Sequence, residues 1–166
     1  MNDMLKLGLR LFIITAVAAL ALGLTNLATE GPIQNQKLSA DNEARLAVLP
    51  GADGFDKIQI DENYKSDGKT EIEEIFEGKN GNNALGYTFK LSTKGFGGAM
   101  ELMVGIKQDG TIGGINIGSH SETPGLGAKA KDKSFTDQYD GKSAAKHIKV
   151  VKSSPKDNEV EAITGA

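Results

Sequence analysis

The chain has 166 residues, with 19 lysines and arginines against 22 aspartates and glutamates and a net charge of −3. That leaves room for one folded domain plus an appendage, and it lacks the basic excess that binding a phosphate backbone requires, so nucleic acid is not an expected partner. Cysteine is absent, which excludes thiolate metal sites, iron–sulfur ligation, disulfides and a cysteine nucleophile, so any redox function must rest on a bound organic cofactor.

From Leu11 to Leu24 every residue except Thr15 and Gly23 is strongly apolar, and Leu5, Leu7, Leu9 and Leu27 extend the run. Such a stretch approaches the roughly 20 residues that span a bilayer. Ala19-Leu20-Ala21 resembles a signal-peptide cleavage site, but the apolar run continues beyond it, which favours a retained anchor. Lys6 and Arg10 precede the helix, and positive charge stays inside, so everything after about Ala28 is expected outside the cytoplasm. The expected organisation is a membrane anchor over residues 1–29 and an extracytoplasmic domain over 30–166.

Glu30-Gly31-Pro32 is expected to break the first helix and open a polar linker, with Ser39 capping a second helix that Pro50-Gly51 stops. Between Phe55 and Lys79, charged and aliphatic residues alternate as in half-buried strands, and Asn80 to Asn83 reads as a turn. Leu85 to Leu91 reads as a strand. Met100 to Ile106 and Thr111 to Ile117 flank Asp109-Gly110, the signature of a tight hairpin. Ser134 to Tyr139 predicts a short helix closed by Gly141, His147 to Val151 a strand, and Ser153 to Asn158 a loop. The class predicted is α+β: an N-terminal transmembrane helix, then a mostly antiparallel sheet with short helices.

Glycine is concentrated between Gly78 and Gly127, implying tight turns and close backbone approach. His120-Ser121-Glu122-Thr123-Pro124-Gly125-Leu126-Gly127 combines hydroxyls, a carboxylate and glycines directly after a strand. Its chemistry suits either a cofactor-binding loop or an ordinary exposed one. Gly125 to Ala130 formally fits a dinucleotide fingerprint, but Ser119 to Pro124 intervenes between strand and glycines, and the match is rejected. His120 and His147 are too few for a zinc site, and Ser119, His120 and Glu122 are too close in sequence for a hydrolytic triad. No catalytic or metal-binding residue is assigned; Glu71, Glu73, Glu74 and Glu77 read as solvated charges. At the end, Glu161-Ala162-Ile163-Thr164-Gly165-Ala166 forms a small-residue turn whose backbone N–H groups would suit a phosphate, or a frayed tail.

Gly95-Phe96-Gly97-Gly98 through Asp109-Gly110 and His120 to Gly127, followed by Glu161 to Ala166, together resemble one family. It is the FMN-binding domain shared by the G subunit of the Rnf ion-translocating oxidoreductase and the C subunit of the sodium-pumping NADH:quinone oxidoreductase. The terminal segment resembles that family's flavinylation motif, D-x-[IL]-[ST]-G-A-[TS], with Glu161 in the aspartate position. The resemblance implies FMN attached by a flavin transferase, as a phosphoester, to a threonine or serine following Ala166, with more chain beyond it. It implies that Thr164, Gly165 and Ala166 lie beside the flavin phosphate and ribityl chain. Glu122, Thr123, Gly125 and Leu126 would line the isoalloxazine or its approach, and Gly97 and Gly98 would allow close packing nearby. In the Rnf setting the chain would relay electrons between ferredoxin and NAD while sodium ions or protons cross the membrane, in company with other membrane and redox subunits. Other readings are a quinone-reductase C-type subunit, a stand-alone extracytoplasmic flavoprotein reductase, and a cofactor-free tethered assembly module.

Overall fold

The computed structural model describes residues 3–61 and 65–165. The chain divides into two units, Met1–Asp41 and Asn42–Ala166. Helix α1 runs from Asp3 to Val48. Its apolar part is long enough to cross a membrane, and none of that part is buried. Phe12, Leu22 and Leu27 all stay exposed, whereas a soluble helix would hide an apolar stripe. The threonines do not interrupt this surface, because their hydroxyls turn back onto the helix: Thr15 donates to Leu11 O at 3.1 Å, Thr25 to Ala21 O at 2.9 Å and Thr29 to Thr25 O at 2.9 Å. All three donors are thereby satisfied within the helix, as a hydrocarbon environment demands.

The helix continues through Pro32, contrary to the break expected at Glu30-Gly31-Pro32, and Ser39 lies in its interior and not at a cap. Proline removes one backbone donor and Gly31 beside it is a weak helix former, yet the long helical stretches on both sides carry the helix through.

The second unit is built on a five-stranded antiparallel meander in the order β1-β2-β3-β4-β5. The strands are β1 (Gly54–Ile58), β2 (Thr70–Asn80), β3 (Asn83–Lys94), β4 (Ala99–Lys107) and β5 (Ile112–His120). The expected hairpin stands at Asp109-Gly110: Gly110 takes φ +80°, and Lys107 N–H donates to Thr111 O at 2.8 Å. Asp109 Oδ1 accepts both the Thr111 backbone N–H at 2.9 Å and its hydroxyl at 2.6 Å.

Register assigns the two faces. Ile58, Ile75, Phe89, Val104 and Ile115 pair across all five strands and form an apolar row. The opposite face carries Phe76, Thr88, Gly105 and Gly114 in one row, and the last turn of α1 lies on it. A Cβ at Gly105 would collide with the Val48 carbonyl oxygen, and one at Gly114 would stand 3.2 Å from Val48 Cα. Glycine on adjacent strands lets the helix backbone settle directly on the sheet, burying Val48 and Leu49. Arg45 is 4% exposed, lies 3.9 Å above the Phe76 ring, and donates to Glu74 Oε2 at 2.8 Å.

After β5 the chain makes a 3-10 turn (Gly127–Lys131), the short helix α2 (Lys133–Thr136) and a second 3-10 turn (Asp137–Tyr139). All three contact β5, and the Phe135 and Tyr139 rings meet edge to face at 5.6 Å. Strands β6 (Lys149–Val151) and β7 (Glu159–Glu161) then pair in parallel. Asn158 ties this pair to the rest: its Oδ1 accepts the Ser143 N–H at 3.0 Å and its Nδ2 donates to Lys146 O at 3.1 Å.

Candidate functional site

The β3–β4 connection, the loop after β5 and the last residues form one neighbourhood in which glycine is required sterically. Gly95 N–H donates to Gly98 O at 2.8 Å, closing the β3–β4 turn, and Gly98 takes φ +140°. Glu122 lies against this turn: its Oε1 accepts the Gly97 N–H at 3.0 Å. A Cβ at Gly95 would meet the Glu122 carboxylate, one at Gly127 would crowd the same group, and one at Gly97 would strike the Ser121 carbonyl. The carboxylate therefore fills the space that absent side chains leave. Glu122 N–H in turn donates to His120 Nδ1 at 3.3 Å.

Beyond Glu122 the loop folds on itself. Thr123 O accepts from Leu126 N–H and Ala128 N–H, both at 3.2 Å, and Gly125 supplies φ +79° in the exposed turn. The turn raises Leu126, 43% exposed, toward the terminal segment. A Cβ built on Gly165 would lie 3.1 Å from Leu126 Cδ2. The two motifs, 38 positions apart in sequence between Leu126 and Thr164, thus become spatial neighbours.

Beside the terminal segment is an open groove of about 470 Å³. Lys129, Asp132, Ser134, Phe135, Gln138 and Thr164 line it. Gln138 also binds the strand that leads into it, accepting the Glu161 N–H at 2.6 Å and donating to Glu161 O at 3.4 Å. The groove, within the usual size range of small-molecule sites, offers one lysine, two hydroxyls and an aromatic ring, set against the acidic residues Asp132 and Glu161 in the same lining. Tyr139, just behind Phe135, is held neutral, burial pushing its phenol above the ordinary range.

The structure thus brings Gly97, Gly98, Glu122, Thr123, Gly125 and Leu126 into one loop cluster, with Thr164 and Gly165 alongside; Ala166 lies outside the described residues. Glu122 directs its carboxylate at the glycine turn, and its place is that of a loop clamp. Lys129, Ser134, Phe135 and Gln138 were not among the expected site residues. Their segment reads as a lysine-rich lead into an unremarkable short helix, and nothing local marks it; the fold alone carries it to Thr164.

This glycine-clamped loop and the groove beside it fall in a region that matches the FMN-binding domain family, over residues 95–166. The chain is 42% identical over 170 residues to the G subunit of the Na(+)-translocating ferredoxin:NAD(+) oxidoreductase complex of Acetobacterium woodii, covering 97% of this chain and 82% of that one. It is 35% identical over 136 residues to the G subunit of the proton-translocating ferredoxin:NAD(+) oxidoreductase complex of Clostridium ljungdahlii, covering 81% and 67%. The crystal structure of Shewanella oneidensis NqrC superposes with a TM-score of 0.50 at 19% identity, covering 74% of this chain and 60% of that one, a likeness of fold. The chain carries an FMN-binding domain. It belongs to the family of G subunits of the Rnf ion-translocating oxidoreductase complexes.

Proposed function

We propose that this chain is the FMN-carrying electron-relay subunit of a membrane-bound ferredoxin:NAD oxidoreductase that moves sodium ions or protons. Residues 1–29 form the anchor, and residues 30–166, of which Asn42–Ala166 make up the compact unit, lie on the extracytoplasmic side. Its partners are the other membrane and redox subunits of the complex, and a flavin transferase acts during maturation. FMN is joined by a phosphoester to the threonine or serine that the family motif carries after Thr164-Gly165-Ala166. The observation that carries this reading is the approach of Leu126 to Gly165, which sets the glycine-rich loop against the attachment motif.

Bound flavin supplies one- and two-electron transfer, and the protein supplies position and electrostatics. Lys129 places a cation in the groove beside Thr164 and would balance phosphate charge. Ser134 and Thr164 offer hydroxyl donors, and Phe135 an apolar wall. Glu122 holds the Gly97 turn and the Gly127 turn together, fixing the loop on which Thr123, Gly125 and Leu126 face the flavin ring or its approach. No side chain is asked to act as general acid or base.

Intact mass and in-gel flavin fluorescence of the full-length protein, produced with and without the transferase, test this reading. One FMN ester per chain, dependent on the transferase, is expected. A colourless, unmodified chain from its own membrane overturns it. Protease added outside sealed spheroplasts should cleave the domain; cleavage only after lysis overturns the assigned orientation.

A further inference from the structure

We propose that the open edge of β6 is a docking edge for an acidic, extended segment of a partner protein, which adds to β6 as a further strand. The inference involves none of the residues assigned to the flavin and does not depend on the flavin being attached.

Residues 141–156 contain five lysines and no aspartate or glutamate, in a chain whose net charge is −3. Lys142 turns its ammonium back onto the Asp157 carbonyl. Lys146, Lys149, Lys152 and Lys156 are exposed, and among the described residues none of the four forms an ion pair. Unopposed cations on one short stretch hold a positive potential that draws an anionic partner.

The backbone is as available as the charge. In the parallel pair, Lys149 N–H donates to Asn158 O at 3.0 Å and Ala162 N–H donates to Val151 O at 2.8 Å, so Lys149 and Val151 are the β6 residues that bond to β7. Strand alternation turns the N–H and carbonyl of Val150, between them, to the opposite side. Among the described residues the small sheet holds only β6 and β7, and Val150 is 68% exposed. An unpaired strand edge is a template for one more strand.

The existing partner of β6 shows what chemistry the strand accepts. Strand β7 is Glu159-Val160-Glu161, and the register sets Lys149 opposite Glu159 and Val150 opposite Val160. An acidic strand of the same alternation on the open edge would bring carboxylates to Lys149 and Lys152 and an aliphatic side chain to Val150. The lysines also act against other occupants. A second copy of this chain would set lysine against lysine, which destabilises the pairing. An anionic bilayer surface would neutralise the ammonium groups but offers no row of peptide N–H and C=O groups to Val150.

The test uses the full chain in phosphatidylcholine discs, a short labelled peptide of alternating glutamate and valine, and the lysine–valine peptide as control. Binding is followed by fluorescence anisotropy and the Val150 amide by hydrogen exchange. The acidic peptide is expected to slow exchange at Val150 and to bind at least about tenfold more tightly than the control. Lys149→Gln combined with Lys152→Gln is expected to weaken it about tenfold and to flatten its salt dependence. Val150→Pro removes a donor that faces away from β7, a position where edge strands tolerate proline. That variant should still melt cooperatively while peptide affinity falls at least about tenfold. Should Val150→Pro not fold, a peptide N-methylated on every residue offers no N–H to the Val150 carbonyl and should lose affinity by as much. Failure of the acidic peptide to bind overturns the proposal. Binding that leaves Val150 exchange unchanged, or equal affinity for the plain and N-methylated peptides, is charge attraction alone and overturns it too. Capture by phosphatidylglycerol vesicles without peptide binding would assign the lysines to a lipid surface and have the same force.

Discussion

Thr88 shows what the fold demands of single residues. It is fully buried, and among the described residues its hydroxyl has no hydrogen-bond partner. Thr88→Val keeps the β-branched shape and removes the unpaired group, so stabilisation by about 1 kcal/mol is expected in urea unfolding. At Asp109 the carboxylate sits below its usual range because the Thr111 hydroxyl and then the Thr111 N–H donate to it. A depressed folded-state value means stability present above the ordinary aspartate range and lost as pH falls through the folded value. The native melting temperature should therefore drop on acidification below about pH 4, and Asp109→Asn should lack that component of the drop. Not every glycine near the site serves a cofactor. The glycine concentration was legible in the sequence, but its meaning divides: Gly97 and Gly127 accommodate Ser121 and Glu122, while Gly105, Gly113 and Gly114 receive the end of α1. Sequence alone cannot separate these, because both are close backbone approaches and only the partner differs.

Among the elements, the end of α1 is the one most tightly specified by its contacts. Gly105→Ala would drive a methyl into the Val48 carbonyl, backbone against backbone, where neither side has a rotamer to change. A loss of about 2–3 kcal/mol is expected by chemical denaturation, at the upper end for overpacking. Arg45→Ala removes a buried guanidinium from Glu74 and from the Phe76 ring, but Lys57 still pairs with Glu74 at 2.6 Å. The cost should therefore fall near about 2–3 kcal/mol, below that of a fully stranded buried charge. Legibility among the elements follows the range of the forces that form them. The Asp109-Gly110 hairpin and the Asn80–Asn83 turn were readable because turn chemistry is local. Strand β7 was not, since three residues pairing with a strand ten positions earlier leave no pattern of their own. Gly31-Pro32 misled in the opposite sense: a strong local punctuation mark was overridden by the helical stretches on both sides.

For the whole molecule, two units with different solvents follow from the composition. The first exposes Leu22 and Leu27 to whatever surrounds it, and the second buries Val48, Met103, Ile117 and Val160 within itself. A chain begun at Asn42 keeps Arg45, Val48 and Leu49 and should remain in the supernatant after ultracentrifugation, with a melting temperature within about 4 °C of the detergent-solubilised full chain. Sedimentation with membranes would show that the second unit carries its own lipid affinity. The broad organisation of the site was accessible from the two motifs together, and the groove was not. Lys129, Ser134 and Phe135 reach Thr164 only because β6 and β7 return the chain to the 3-10 turns after β5.

The meander has a kinetic corollary. Each pairing from β1 to β5 joins consecutive strands, so the loops to be closed are short and closure entropy is small. The β6–β7 pair has no such neighbour in the sheet and is held through Asn158, Ser143 and Gln138, contacts that exist only once β5 and its following turns are in place. The tail from Glu159 to Gly165 should consequently acquire protection last during refolding, which pulse-labelled amide exchange would resolve as a late phase confined to those residues. Earlier protection of that tail than of β4 and β5 would contradict the order.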